Sequence, residues 1–187
     1  RDHVGKHVFP VHRLDRPTSG VLVFALNKVA ARIISEAFGA GEVRKSYLAL
    51  VRGITPLSGV IDNPVPKKPG GKRVFALSEF RRLFVFERYS LVGVWPRTGR
   101  LHQIRRHLKH ITHPLIGDSK YGKGEHNRYF RENFGLRRLG LHAAALSLAH
   151  PTSGLDLTFC APVPDDLALP LKRIGVPGSL LSLGVYP

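Results

Sequence analysis

A single short run fixes the chemistry open to this chain. His12-Arg13-Leu14-Asp15-Arg16-Pro17-Thr18-Ser19-Gly20 sets one carboxylate between two guanidiniums, directly ahead of an apolar stretch. A carboxylate flanked by opposite charges stays an anion, which suits Asp15 to nucleophilic attack and makes it a poor general acid. The plainer reading is an Arg-Asp pair that fixes a turn. The flanks favour chemistry, because loops held by a rigid scaffold are where reactive groups sit, and a structural ion pair has no need of Thr18, Ser19 and Gly20 beside it.

Two further residues combine with Asp15. Tyr47 lies near the centre of an alternating, strand-like segment, and Arg105 lies on a helix-patterned segment, so the three belong to separate elements whose ends can converge. An anionic nucleophile needs a cation, and a flat substrate such as a nucleobase needs an aromatic platform. For Tyr47 the rival reading is an ordinary core aromatic.

Other constellations are weaker. His102, His107, His110 and His113 crowd one region, but no Cys, Asp or Glu stands among them, and Arg105, Arg106 and Lys109 repel a cation. A zinc site is therefore disfavoured, and no metal is expected. Ser19 has no Gly-x-Ser-x-Gly elbow around it, and His12 belongs to the same turn. A glycine-rich phosphate fingerprint is also lacking, so no nucleotide cofactor is expected.

The elements that must position these residues follow from periodicity. Val21 to Leu26 is a continuous apolar run of strand type. Asn27 then caps a helix over 28–38 whose Ala30, Ile33, Ile34, Ala37 and Phe38 share a face, with Gly39 and Gly41 as the stop. Arg44 to Arg52 reads as a strand. The segment 54–73 concentrates prolines and glycines with Lys67, Lys68, Lys72 and Arg73, which predicts a basic, mobile excursion that grips phosphate. Phe75 to Trp95 reads as two strands with Glu87 and Arg88 at the turn. Thr98-Gly99 opens a helix with Leu101, Ile104, Leu108 and Ile111 inward, and with His102, Arg105, Arg106 and Lys109 on its flanks and outer face. A polar, basic stretch over 117–136 precedes a strand from Leu139 to His150, a turn at Pro151–Gly154, a strand to Cys160, and a last helix from Pro164 to near Gly175. Strands outnumber helices and short turns join several of them, so the fold class is α+β, with a mixed, mainly antiparallel central sheet flanked by helices and loops.

Composition narrows the partner. Lys plus Arg number 29 against 13 Asp plus Glu among 187 residues, a net charge of +16. Such an excess implies a polyanion. A membrane surface is the rival, but the chain has no long apolar run, no basic amphipathic helix and no lipidation signal, so nucleic acid is the expected partner. Cys160 is the sole cysteine, which excludes an internal disulfide and fits a reducing, cytoplasmic setting. With no methionine and a start in what reads as a loop, 1–187 is expected to be a single catalytic domain that lacks its upstream part.

Three stretches carry a family resemblance. His12 to Gly20, Arg44-Lys45-Ser46-Tyr47, and Arg97-Thr98-Gly99-Arg100-Leu101-His102-Gln103-Ile104-Arg105 with His113-Pro114-Leu115-Ile116-Gly117-Asp118 closely resemble, in order, the motifs of the RluA-like pseudouridine synthases. The resemblance runs to about Pro162. It implies a pseudouridine synthase fold and a cofactor-free isomerisation of uridine to pseudouridine in RNA, with Asp15, Tyr47 and Arg105 as catalytic residues. Asp15 would attack C6 of the base or C1′ of the sugar, Arg105 would pair with Asp15, and Tyr47 would stack on the target base. Arg13 would fill the space that the flipped base leaves, a task that suits a planar cation. Arg16, Arg100, His102, Arg106, Lys67 and Lys68 would contact RNA. The segment from Gly117 to Arg128, continuing through Leu141-His142-Ala143, is most similar to the branch that modifies uridine 65 of tRNA. Ribosomal RNA is the alternative substrate, and a non-catalytic basic RNA-binding module is the alternative from another class; the protein is expected to be a monomer. The family's upstream strands and Lys-Pro loop are not in the sequence, which would leave a sheet edge exposed.

Overall fold

The computed structural model describes residues 4–182. In chain order the elements are β1 (Phe9–Pro10), β2 (Ser19–Gly20), β3 (Phe24–Ala25), α1 (Lys28–Ala40), β4 (Arg44–Arg52), β5 (Ser58–Asp62), β6 (Val65–Pro66), β7 (Arg73–Val74), β8 (Leu77–Phe86) and β9 (Tyr89–Pro96). There follow α2 (Gln103–His110), α3 (Gly124–Phe134), β10 (Leu141–Ala149), β11 (Asp156–Cys160), α4 (Asp165–Arg173) and α5 (Gly178–Ser182). The main sheet has the order β11-β10-β4-β9-β8-β5, with β2 added on β10, and every pairing but β2–β10 is antiparallel.

The central strands are apolar almost throughout because both faces of the sheet are covered. Leu48 and Leu50 of β4 and Leu91 and Trp95 of β9 pack with Phe130, Leu136, Leu167, Leu171 and Leu181, from α3 to α5. Their alternates, Ala49, Val51, Val92 and Val94, pack with Ile104 and Leu108 of α2. Strand alternation thus assigns one face to the helices α3–α5 and the other to α2. Tyr47, next in phase with Ala49, falls on the α2 face. A third cluster joins α1 through Ile34 to Val21, Val43 and Leu146.

Several expectations change. The run from Val21 to Leu26 is not one strand: β2 pairs with β10, β3 pairs with β1 in a separate ladder, and only Val21 and Ala25 of the run are buried. Gly20, whose φ of 117° lets its backbone press against Ala143, ends β2, and the break follows at Val23, whose N–H is taken by His12 Nε2 at 2.9 Å instead of by a strand. The segment 54–73 is not one loop excursion: β5 is the edge strand of the main sheet, and Ile61 and Val65 are buried. Apolar residues at those two positions draw it in, and the longest part left outside an element is the Lys67–Lys72 stretch between β6 and β7. The polar stretch after Gly117 contains α3, seated by Tyr129, Phe130 and Phe134 on one another and on Tyr89. Helix α1 continues through Gly39 and ends at Gly41, whose left-handed φ of 81° closes it, while the Asn27 side chain caps its start as expected.

Candidate active site

Asp15 sits in the loop ahead of β2, where the Thr18 N–H donates to its carbonyl at 2.8 Å to form a tight turn. The loop is registered by one strand. On β10, Ala143 pairs with Gly20 on one side and with Tyr47 of β4 on the other, so the Asp15 loop and the aromatic lie one strand apart. Ser19 and Gly20 are what that register requires: a Cβ at Gly20 would collide with the Ala143 backbone, and the Ser19 hydroxyl bonds His142 Nδ1 at 2.8 Å. His142 Nε2 donates to the Ala161 carbonyl, so its Nδ1 is the acceptor for Ser19. Arg138 adds a bond to the Pro17 carbonyl at 3.3 Å.

The cation at Asp15 comes from Arg105, Nη1 lying 3.3 Å from Oδ2, across 90 residues of sequence. Arg105 is not on an outer face as helical periodicity suggested. Its side chain is only 7% exposed, and Nε and Nη2 form a fork on Asp118 at 2.8 and 2.9 Å. The buried counter-charge of Asp118 turns Arg105 inward. The Lys120 and Tyr121 N–H groups also donate to Asp118. Asp118 was read only as part of a motif, and its spacing after the helix was the one sign of this role.

Tyr47 is buried against the α2 cluster, and burial with the nearby Asp15 charge pushes its hydroxyl up to about 12, so it stays a neutral phenol at physiological pH. On the same face of β4, Lys45 is brought down to about 8 by burial and by the charge of Arg100, and its ammonium donates to the Thr98 carbonyl. His102 opens α2 with a left-handed φ of 51°, placing Nε2 3.9 Å from Asp15 Oδ1 and Nδ1 3.0 Å from the Tyr121 hydroxyl. Burial lowers its pKa, opposed by Asp15 and assisted by Arg105, Lys120 and Arg106. The Tyr121 ring has Arg105, Arg106, Lys109 and Lys120 within 5.8 Å of its centroid.

The remaining residues surround this centre unevenly. Arg13 and Arg16 are exposed on the loop itself, Arg106 is half-buried against Tyr121, and Arg100 donates to the Phe75 carbonyl. Lys67 and Lys68 are exposed in the stretch between β6 and β7. The histidines do not gather: His107 is fully buried between Ser78 and the Asn63 carbonyl, and His113 donates to the Arg52 carbonyl. Among the described residues no group of three or more His, Cys, Asp or Glu is arranged to hold a metal, and no helix is long and apolar enough to cross a membrane.

Comparison with known proteins gives a consistent answer. The family profile described as RNA pseudouridylate synthase matches residues 1–110. A tRNA pseudouridine synthase C from Haemophilus ducreyi is 43% identical over 182 residues, covering 86% of this chain and 74% of its own. One from Vibrio cholerae is 40% identical over 202 residues, covering 97% of this chain and 83% of its own. Among solved structures, human RNA pseudouridylate synthase domain containing 4 aligns at a TM-score of 0.75 and 28% identity, over 89% of this chain and 76% of that one. Human RNA pseudouridylate synthase domain containing 1 aligns at 0.73 and 30% identity, over 87% and 73%.

Proposed function

The chain belongs to the RNA pseudouridylate synthase family, and from that premise we propose that it isomerises uridine 65 of tRNA to pseudouridine with Asp15 as the nucleophile. The reaction breaks the N1–C1′ bond, turns the uracil and joins C5 to C1′, so no atom is gained or lost and no cofactor is called for. Support for tRNA as the substrate comes from the relatives named tRNA pseudouridine synthase C, which match along most of the chain. The net charge of +16 suits a polyanion.

The observation that carries the mechanism is the placing of Asp15 and Arg105. Asp15 is 22% exposed and so within reach of a flipped nucleotide, while the Arg105 that faces it is buried and fixed by Asp118. A preorganised cation stabilises the carboxylate before attack and again when it is released, without reorganisation at the moment of reaction. Tyr47, neutral and one strand away, serves as the platform for the base. The exposed Arg13 enters the stack that the base vacates, and Arg16, Arg100, Arg106, Lys67 and Lys68 meet the phosphates. A single exposed cysteine supports a reducing, cytoplasmic setting.

The test is Asp15→Asn with a tRNA transcript. It should bind within about twofold of wild type, since one loop carboxylate makes little of the phosphate-dominated affinity, and should form no pseudouridine. Undiminished product from this variant would sink the mechanism. Pseudouridine mapping of total RNA from cells with and without the protein distinguishes tRNA from ribosomal RNA as the substrate.

A further inference from the structure

The isomerisation leaves a proton to be moved. When C1′ joins C5, that carbon still carries its hydrogen, and the ring regains its conjugation only when the C5 proton passes to a base. N1, released from the sugar, takes up a proton in exchange. Few groups near Asp15 can accept one. Arg105 is permanently charged, Tyr47 is held as a phenol, and Asp15 is the attacking group with one oxygen on Arg105. His102 remains.

We propose that His102 is the base that removes the C5 proton, held in place by Tyr121. The imidazole flanks the nucleophile, with Nε2 3.9 Å from Asp15 Oδ1, and its side chain is 21% exposed against 22% for Asp15, so both open on the same space. A separation of 3.9 Å is too long for a hydrogen bond, so Nε2 is not engaged by Asp15. Nδ1 lies 3.0 Å from the Tyr121 hydroxyl, and in the tautomer whose Nδ1–H donates to that oxygen the Nε2 lone pair faces the site. Burial, with the charges of Arg105, Lys120 and Arg106, outweighs the opposing pull of Asp15 and lowers the pKa, which favours the neutral ring that a base needs. The imidazolium that forms then faces the carboxylate of Asp15. The C5 proton passes on to water while N1 takes one from water, so the step is balanced.

The backbone supports the assignment. His102 is held at φ 51°, one of three non-glycine residues with positive φ among those described. Glycine would fit there without strain, so the ring is presented from a backbone conformation that most side chains avoid.

This rests on the uridine isomerase reading, and the experiment separates the two. The substrate is a tRNA transcript whose uridines carry protium or deuterium at C5, in single-turnover reactions. His102→Asn suits the left-handed backbone and removes the base, and Tyr121→Phe removes only the partner of Nδ1. With His102→Asn, pseudouridine formation should slow about 100-fold or more, the range for loss of a general base, and the remaining rate should show a primary C5 isotope effect larger than that of wild type. Tyr121→Phe should slow the reaction less, with the same effect in weaker form. A wild-type rate in His102→Asn, or a slowed rate with no added isotope effect, overturns the proposal. Wild-type protein that forms no pseudouridine in any RNA overturns the reading beneath it instead.

Discussion

Arg105 gives its two shortest hydrogen bonds to Asp118, at 2.8 and 2.9 Å, and only a 3.3 Å contact to Asp15. The guanidinium is thus anchored by one carboxylate and presented to the other. An Arg105 bound in a fork to Asp15 would satisfy the lone pairs that attack requires. Splitting the fork leaves Asp15 stabilised yet free to react.

Asp118→Asn should therefore harm both stability and rate. Removing one partner of a buried ion pair leaves an uncompensated charge, at a cost of about 3–5 kcal/mol. Burial alone would raise the Asp118 pKa, but the bonds from Arg105, Tyr121 and Lys120 outweigh it and hold the value below that of an ordinary aspartate. A folded-state value below the unfolded one gives stability that is fully present above about pH 4 and is lost as pH falls through the lowered value. Urea denaturation should thus show a gap between wild type and variant at pH 7 that narrows toward pH 3. Equal stability at pH 7 would refute the anchoring role.

Gly20→Ala tests the register. Its φ of 117° excludes an L side chain without strain, and the added carbon would meet the Ala143 carbonyl. We expect a loss of about 2 kcal/mol or more, with turnover falling further because the Asp15 loop is displaced from Tyr47. A variant with wild-type turnover would show that the β2–β10 pairing does not set the site.

Lys67 and Lys68 are exposed beside Lys72 and Arg73. If both meet phosphate, Lys67→Gln with Lys68→Gln should lower the slope of log affinity against log salt by about 1.4–1.8. Fluorescence titration of a tRNA transcript across a salt series measures it, and an unchanged slope would remove them from the interface.

Residue pattern anticipated some features and missed others for identifiable reasons. β4 from Arg44 to Arg52 and the Asn27 cap were legible because each depends on local alternation or a single side chain. The Arg105–Asp15 approach came from the resemblance, since no local pattern links positions so far apart. Arg105 was expected outward because periodicity ranks a cation as surface, and only the fold brings Asp118 beneath it. Helix α3 was hidden by its polar first half, where the one buried ring is His126, while its apolar rings Tyr129, Phe130 and Phe134 stand toward the end. The Val21 run looked continuous because its apolar residues give no sign of the break at Val23, where a side chain of another segment takes the N–H.

The single strand β10, which separates Gly20 from Tyr47, also bears on biosynthesis. Ser19 and Gly20 leave the ribosome long before His142 and Ala143, so the edge that holds the Asp15 loop does not exist while residues 19 and 20 emerge. Pairings this distant in sequence close late in folding. The register between the Asp15 loop and Tyr47 is accordingly set only once β10 has joined the sheet.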